Sequence, residues 1–154
     1  MNIRLATPAD AEMIAQQRAQ MFVDMGDMTA DETHQTLWAD WLRAAIPAGD
    51  YVGLLAEVDG VVVGGVGLMF RAKMPSAKDP SLTQGYILNM YVAPEHRRKG
   101  ISEALMRGAL AEVRRRGLRS VSLNAAPMGK KIYERLGFTE ATSPELRLTL
   151  GGPA

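Results

Sequence analysis

The spacing of apolar positions predicts how the first half of the chain folds. A short strand is predicted over 3–6, and apolar residues at helical spacing behind Thr7 and Thr29 predict two helices, because Thr is a preferred helix cap. Two apolar runs then flank Asp59-Gly60, a dipeptide that favours the tight turn of a β-hairpin. The first half therefore has the predicted order β-α-α-β-β.

The second half continues with strands and helices in alternation. The pattern predicts strands over 85–92, 119–123 and 145–150, and helices over 101–116 and 128–136. The helix between the first two of these strands makes them a parallel pair, whereas tight turns make the other pairs antiparallel. We therefore predict an α/β class (an α+β mixed sheet): one central, mixed, mostly antiparallel sheet with helices on both faces. The predicted order is β-α-α-β-β-β-α-β-α-β, in a single domain over 1–154.

Composition excludes several classes of protein. Of 154 residues, 47% are hydrophobic and 23% charged, as in a globular protein, and the net charge of +1 argues against a polycation that binds nucleic acid or membrane. Cysteine is absent and the two histidines lie far apart, so neither disulfides nor a metal site are expected. The sequence shows no signal region and no membrane-spanning run, and we expect a cytoplasmic protein.

The stretch PEHRRKGIS, residues 94–102, is the best candidate for a binding site. It joins a predicted strand to a long helix, whose first N–H groups lack partners and, together with the helix dipole, favour a phosphate. Gly100 lets the backbone approach a ligand closely, because it has no Cβ. The order Lys-Gly-Ile-Ser excludes a nucleotide P-loop, and the single glycine excludes the dinucleotide fingerprint. An anion site of another kind is therefore predicted.

Two segments resemble the core of the GNAT superfamily of acetyl-CoA-dependent N-acetyltransferases. YILNMYVAPEHRRKGISEALMRGAL contains residues 97–102, which match the first two fixed positions of the signature Q/R-x-x-G-x-G/A. SVSLNAAPMGKKIYERLGFTE contains residues 133–138, which match Y-E-x-L-G-F. The sequence departs from the family pattern at three positions. Ser102 stands where Gly or Ala is usual, Ala126 stands where many members have Asn, and Gly129 stands where many members have Ala. Asn124 lies two residues before the position of that Asn.

The resemblance implies direct transfer of an acetyl group from acetyl-CoA, a co-substrate, to a primary amine, without a metal. It implies that a loop backbone cradles the pyrophosphate with added arginine charge, and that a strand backbone pairs with the pantetheine. An N–H of that strand, at a bulge, would polarise the acetyl carbonyl. Tyr133 would protonate the leaving thiolate as a general acid. The implied cofactor contacts are Met90, Tyr91, Val92, Arg97, Arg98, Lys99, Gly100, Ile101, Ser102 and Asn124.

The sequence does not identify a general base. Asn89 precedes the signature but cannot take up a proton, and Glu32, His34, Asp40 and Glu95 are each more typical of solvated surface charge. An amine that arrives neutral would need no base. The acceptor would be bound by the first two helices, the predicted exposed loop over 71–84 and the region after residue 138.

Several alternatives stay open at this stage. The acceptor is a small molecule, a peptide N-terminus or a protein lysine, the acyl group is acetyl or longer, and a homodimer is compatible with the sequence. A CoA-binding sensor would keep the fold without catalysis. A nucleic-acid-binding module would use the two basic runs, but the near-zero net charge and the lack of interleaved aromatic residues argue against nucleic acid as a partner.

Overall fold

The computed structural model describes residues 1–151. By internal contacts the chain divides into two compact units, Met1–Asn124 and the part that begins at Ala125. The elements of the first unit are β1 (Asn2–Leu5), α1 (Ala11–Asp24), α2 (Gln35–Ala48), β2 (Tyr51–Val58), β3 (Val61–Ala72), β4 (Thr83–Val92), α3 (Ile101–Arg115) and β5 (Val121–Leu123). The second unit contains α4 (Lys130–Arg135).

The sheet has the mixed topology that the sequence predicts. Its five strands lie in the order β1-β2-β3-β4-β5. The pairs β1-β2, β2-β3 and β3-β4 are antiparallel, and only β4-β5 is parallel. The helix α3 connects the two parallel strands, as a crossover must. The predicted class, a mixed and mostly antiparallel sheet, is confirmed.

Helices cover both faces of this sheet, because successive residues of β2 point in opposite directions. Tyr51 and Leu55 pack with Ile14 of α1 in a buried cluster to which α2 also contributes. The intervening Leu54 faces α3, where its Cδ1 lies 3.7 Å from the place that a Cβ on Gly108 would take. Each fully buried side chain of this size stabilises the fold by about 1.5 to 3 kcal/mol. The core thus holds β2, β3 and β4 in place from two sides.

The structure differs from the sequence prediction at the C-terminal end. The predicted last strand over 145–150 is wrong, since these residues form neither helix nor strand. The alternating leucines Leu146, Leu148 and Leu150 are exposed instead. A strand needs a neighbour to satisfy its backbone, and the five strands of the sheet do not include this segment. The predicted loop over 71–84 is shorter than expected, because β3 and β4 extend into it.

An arginine near the N-terminus joins the edge of the sheet to the first helix. Nη1 and Nη2 of Arg4 each donate to the Asp10 carboxylate at 2.9 Å, and Nε donates to Glu57 at 2.6 Å. The Asp10 carboxylate also accepts from the Thr7 backbone N–H at 2.8 Å. Asp10 is nearly buried, and its hydrogen bonds from Arg4 are the main reason that its pKa is lowered to about 2.

We predict that Asp10→Asn destabilises the fold in a pH-dependent way. Because the folded pKa lies below the ordinary 3.8, the ionised Asp10 stabilises the fold above about pH 4 and loses this effect as the pH falls towards about 2. The variant should therefore cost roughly 1 to 3 kcal/mol at neutral pH, and its difference from wild type should close in acid. Urea unfolding across this pH range is the measurement.

Asp31→Asn is the matched control, because Asp31 is exposed and forms no ion pair within residues 1–151. It should leave the free energy of unfolding within about 0.5 kcal/mol of wild type. A loss for Asp10→Asn that stays constant from neutral to acid pH would contradict the role assigned to its ionised form.

Candidate functional site

The loop between β4 and α3 presents backbone donors without partners. Arg98 and Gly100 both have left-handed backbone angles, with φ values of 62° and 80°. The backbone N–H groups from Arg98 to Ser102 donate to no residue in the described part of the chain, while the Gly100 carbonyl already accepts from Ala104. Unpaired N–H groups at the start of a long helix favour an anion. The anion site at this loop stays a prediction.

Two cations of this loop are free and one is engaged. Arg98 and Lys99 are exposed, and neither forms an ion pair with another described residue. Arg97 donates from Nε to the Val92 carbonyl at 2.8 Å and from Nη2 to Asp24 at 3.0 Å. Arg97 therefore fixes the loop against β4 and α1, and the uncompensated charge comes from the next two residues.

Strand β4 contains a bulge just before this loop. Its register with β3 shifts by one residue between Gly67 and Gly65. As a result, Asn89 and Met90 lie opposite the single residue Val66. Asn89 takes the left-handed conformation, with a φ of 57°. Such a bulge interrupts the hydrogen-bond ladder and bends the strand, so backbone groups at this point are released from regular pairing.

The other side of β4 is open beyond the bulge. Pairing with β5 extends only to Ile87, so Met90 to Val92 have no strand neighbour on that side within residues 1–124. An unpaired strand edge can hydrogen-bond an extended ligand in the way that it would bond another strand. Asn124 follows β5 directly, and its Nδ2 donates to the Tyr86 hydroxyl at 3.1 Å.

A chain of polar groups lies beneath the bulge. Arg18 of α1 donates from Nη1 to Asn89 Oδ1, and Asn89 Nδ2 donates to the Tyr51 hydroxyl at 3.1 Å. Tyr51 is buried, which raises its pKa to about 12 and keeps it protonated. The Arg18 guanidinium lies 4.7 Å from the Phe22 ring centroid and 4.8 Å from that of Trp38, a cation–π arrangement.

Arg18 and Tyr51 belong to this site but were not predicted from the sequence. One signal was available for Arg18, since it lies four residues from both Ile14 and Phe22 and therefore interrupts the apolar face of α1. Tyr51 gives no comparable signal, because an aromatic residue at the start of a buried strand is expected from packing alone.

In the second unit, Tyr133 lies on α4 against Phe138. The two ring centroids are 6.1 Å apart in an edge-to-face arrangement. Burial raises the pKa of the phenol, and its hydroxyl donates to no residue that the structure describes. A Cβ on Gly129 would lie 2.8 Å from Tyr133 Cε2, so the ring occupies the space that a side chain would need. The position of the Tyr133 ring therefore requires a residue without a Cβ at position 129.

Comparison with known families identifies the chain. The model of the acetyltransferase (GNAT) family matches residues 14–138, which include the loop, the bulge and Tyr133. The chain belongs to the GNAT acetyltransferase family. GNAT enzymes use acetyl-CoA, and the chain is an acetyl-CoA-dependent acetyltransferase. The predictions of family, fold class and enzyme class are confirmed.

Solved structures resemble the chain over nearly its whole length. A GCN5-related N-acetyltransferase from Ralstonia eutropha JMP134 is 34% identical, with 96% of this chain and 97% of that chain covered and a TM-score of 0.86. A predicted acetyltransferase from Clostridium acetobutylicum, solved with acetyl-CoA, is 22% identical, with 97% and 96% covered and a TM-score of 0.88. At this identity the second structure shows the GNAT fold alone. None of the curated proteins matches the chain.

The candidate bases of this GNAT enzyme make no side-chain hydrogen bond to Asn89 of the bulge among the described residues. Glu32 accepts from the Thr29 hydroxyl, and Asp40 pairs with Arg43. No described residue other than Arg18 and Tyr51 forms a side-chain hydrogen bond with Asn89. His34 and Glu95 are exposed. The geometry therefore selects none of the four as a base.

Two further observations concern residues 1–151 only. No group of three or more His, Cys, Asp or Glu side chains is arranged to hold a metal ion. None of the helices combines the length and the apolar character that crossing a membrane requires.

We predict that Gly129→Ala displaces the Tyr133 ring. The new methyl group would lie 2.8 Å from the ring, and the ring must move because it is the more flexible of the two groups. The Tyr133 ring resonances in an NMR spectrum of tyrosine-labelled protein should shift. Lys131→Ala changes an exposed residue of the same helix and should leave them in place. Unchanged Tyr133 resonances in Gly129→Ala would contradict the close packing.

Proposed function

We propose that the protein is a single-domain N-acetyltransferase over 1–154 that moves the acetyl group of acetyl-CoA directly to a primary amine. One observation carries the proposal: the C-terminal end of β4 holds both a bulge with an open edge and a loop of unpaired donors. These are the two features that a thioester on a long diphosphate-bearing arm requires. A small-molecule or peptide amine as acceptor, independence of metals, membranes and nucleic acids, a cytoplasmic location and a homodimer stay predictions.

The loop is proposed to bind the pyrophosphate. The N–H groups of Arg98 to Ser102, including those of Lys99, Gly100 and Ile101, would donate to its oxygens, while Arg98 and Lys99 add positive charge. Arg97 would act by fixing the loop, because its guanidinium is already paired with Asp24. The Clostridium acetobutylicum relative with acetyl-CoA supports acetyl-CoA as the ligand.

The open edge of β4 is proposed to bind the pantetheine arm. Backbone groups of Met90, Tyr91 and Val92 would pair with its amides, with Asn124 at the end of β5 as a further contact. A backbone N–H released by the bulge would then donate to the acetyl carbonyl. A donor of this kind stabilises the oxyanion of acyl transfer by roughly 3 kcal/mol.

The chemical step is direct transfer through a tetrahedral intermediate. The neutral amine attacks the carbonyl carbon, an N–C bond forms, and the carbonyl electrons move to the oxygen that the bulge stabilises. As the carbonyl re-forms, the C–S bond breaks and the thiolate takes a proton from Tyr133. The nitrogen releases its extra proton to water, and the Tyr133 phenolate regains a proton from water before the next turnover. Burial raises the Tyr133 pKa, which keeps the phenol protonated until the thiolate forms.

We predict that Gly100→Asp abolishes acetyl-CoA binding and that Gly100→Asn weakens it far less. Both side chains tolerate the left-handed backbone of this position, and no atom of residues 1–151 lies within 4 Å of the added Cβ. The two variants differ in charge, and two like charges about 4 Å apart repel by roughly 1 to 4 kcal/mol. Calorimetric titration with acetyl-CoA measures the difference. Equal affinities of both folded variants and wild type would refute the pyrophosphate site.

We predict that Tyr133→Phe slows acetyl transfer without weakening acetyl-CoA binding. The substitution keeps the ring that packs on Phe138 and removes the proton proposed for the thiolate. Because the hydroxyl has no partner among the described residues, stability should change little. General acid catalysis contributes about 10² to 10⁴ in rate, and we expect a loss near the lower end, in kcat rather than in the KM for acetyl-CoA.

The measurement is pre-steady-state transfer to a good amine acceptor, where product release does not limit the rate. A Phe variant that transfers acetyl at the wild-type rate would show that Tyr133 only packs α4 against Phe138, and that another group protonates the thiolate.

A further inference from the structure

Arg18 carries a charge that the described chain does not neutralise. It is half-buried against the rings of Phe22 and Trp38, and its side chain makes one hydrogen bond to a described residue, from Nη1 to Asn89. No carboxylate of residues 1–151 forms an ion pair with it. Arg43 of α2 is the contrast, since it is more exposed and pairs with two carboxylates.

A partly buried guanidinium without a counter-ion is suited to bind an anion. It has five N–H donors in a planar fork that matches a carboxylate, and one of these donors is in use here. Taking the charge out of water costs free energy that an anionic partner would recover. Burial lowers the pKa of Arg18, yet a guanidinium stays charged at any physiological pH. The flanking rings hold the fork in place before a ligand arrives.

The location of Arg18 links this charge to the reaction. Its hydrogen-bond partner Asn89 is the left-handed residue of the β4 bulge, where the acetyl carbonyl is proposed to lie. A carboxylate held by Arg18 would therefore lie within about one side chain of the reacting carbon. A molecule that spans this distance can carry both the carboxylate and the attacking amine.

We propose that Arg18 binds a carboxylate of the acceptor, and that the acceptors are small primary amines that also carry a carboxylate, such as free amino acids. This inference rests on the proposed function, because it assigns the acceptor of the same site. A protein lysine or a peptide N-terminus has no carboxylate at a fixed short distance from its amine, so the small-molecule class is favoured.

The first experiment compares carboxylates with their amides. Initial rates of CoA release are measured with wild-type protein for α-amino acids, β-alanine and γ-aminobutyrate, each beside its own amide. The comparison is made at matched concentrations of the neutral amine, because amidation changes the amine pKa. Loss of a charge-assisted hydrogen bond to a buried group corresponds to roughly 10- to 100-fold in kcat/KM. We expect at least one acid to exceed its amide by this factor.

The second experiment removes the charge. Arg18→Gln keeps a side-chain N–H donor on a shorter chain but loses the cation, and it should remove the preference for acid over amide. The ratio of kcat/KM for an acid over that for its amide should therefore fall roughly 10- to 100-fold relative to wild type. Arg18→Lys, which keeps the charge without the planar fork, should retain part of the preference. Arg43→Gln removes an arginine outside the site and should behave as wild type.

A binding measurement avoids any variant of Arg18. Trp38 lies 4.8 Å from the guanidinium, and Trp41→Phe removes the second of the chain's two tryptophans. In this variant, saturated with CoA, an acid that is a good acceptor should change the Trp38 fluorescence in a saturable way. Its amide should do so only at much higher concentration. An acid that is acetylated but leaves the fluorescence unchanged would contradict binding at Arg18.

The outcomes separate this inference from the proposed function. If amines are acetylated but acids and amides serve equally well, the carboxylate assignment is wrong and the N-acetyltransferase proposal stands. The same holds if Arg18→Gln lowers activity with acids and amides by one common factor, since Arg18 would then only position Asn89. If acetyl-CoA binds and neither the acids nor their amides are acetylated, the carboxylate assignment is wrong. The N-acetyltransferase proposal fails as well only if a wider panel of diamines, amino sugars and peptides also stays unacetylated.

Discussion

The bulge in β4 is the constraint on which the rest of the site depends. Asn89 is the extra residue of the bulge and takes a left-handed conformation. Asn89 and Met90 therefore lie opposite the same β3 residue, Val66. The strand can hold this shape because the Asn89 amide is fixed on the face covered by α1, where it accepts from Arg18 of α1 and donates to the buried Tyr51 of β2. The same strand then continues into the loop of unpaired donors. The conformation of a single residue thus sets the direction of both features that are proposed to bind acetyl-CoA.

Within residues 1–151, positive charge without a carboxylate partner lies at two places. Arg98 and Lys99 form no ion pair at the loop, and Arg18 forms none beneath the bulge, whereas Arg97 is paired with Asp24. A cofactor with phosphates at one end and an acceptor with a carboxylate at the other would match this distribution. A cation near the acceptor also disfavours an ammonium and favours the neutral amine that attacks. This agrees with the absence of a base in contact with Asn89 among the described residues.

The sequence was sufficient to predict the strands and helices that carry local signals. It was insufficient where contacts between distant residues determine the structure. The Asp59-Gly60 turn, the crossover helix and Gly100 each follow from short-range rules, and the structure has all three. The prediction of a last strand was wrong because the alternating leucines from Leu146 to Leu150 indicate only a local preference for strand. A strand also needs a neighbouring strand to pair with. Arg18 was not predicted because its role depends on its contact with Asn89, 71 positions away in the chain. A bulge at β4 was expected only from the family resemblance.

Amide NMR of the isotopically labelled protein during titration with acetyl-CoA tests the central claim most directly. The account predicts that the largest shifts, and the strongest protection from hydrogen exchange, occur at two places: the amides of residues 98–102 and those of residues 90–92. Both sets should respond together in wild type, because one ligand spans them. Saturable binding with shifts confined to other residues, or to the loop without β4, would contradict a cofactor held along the bulged strand.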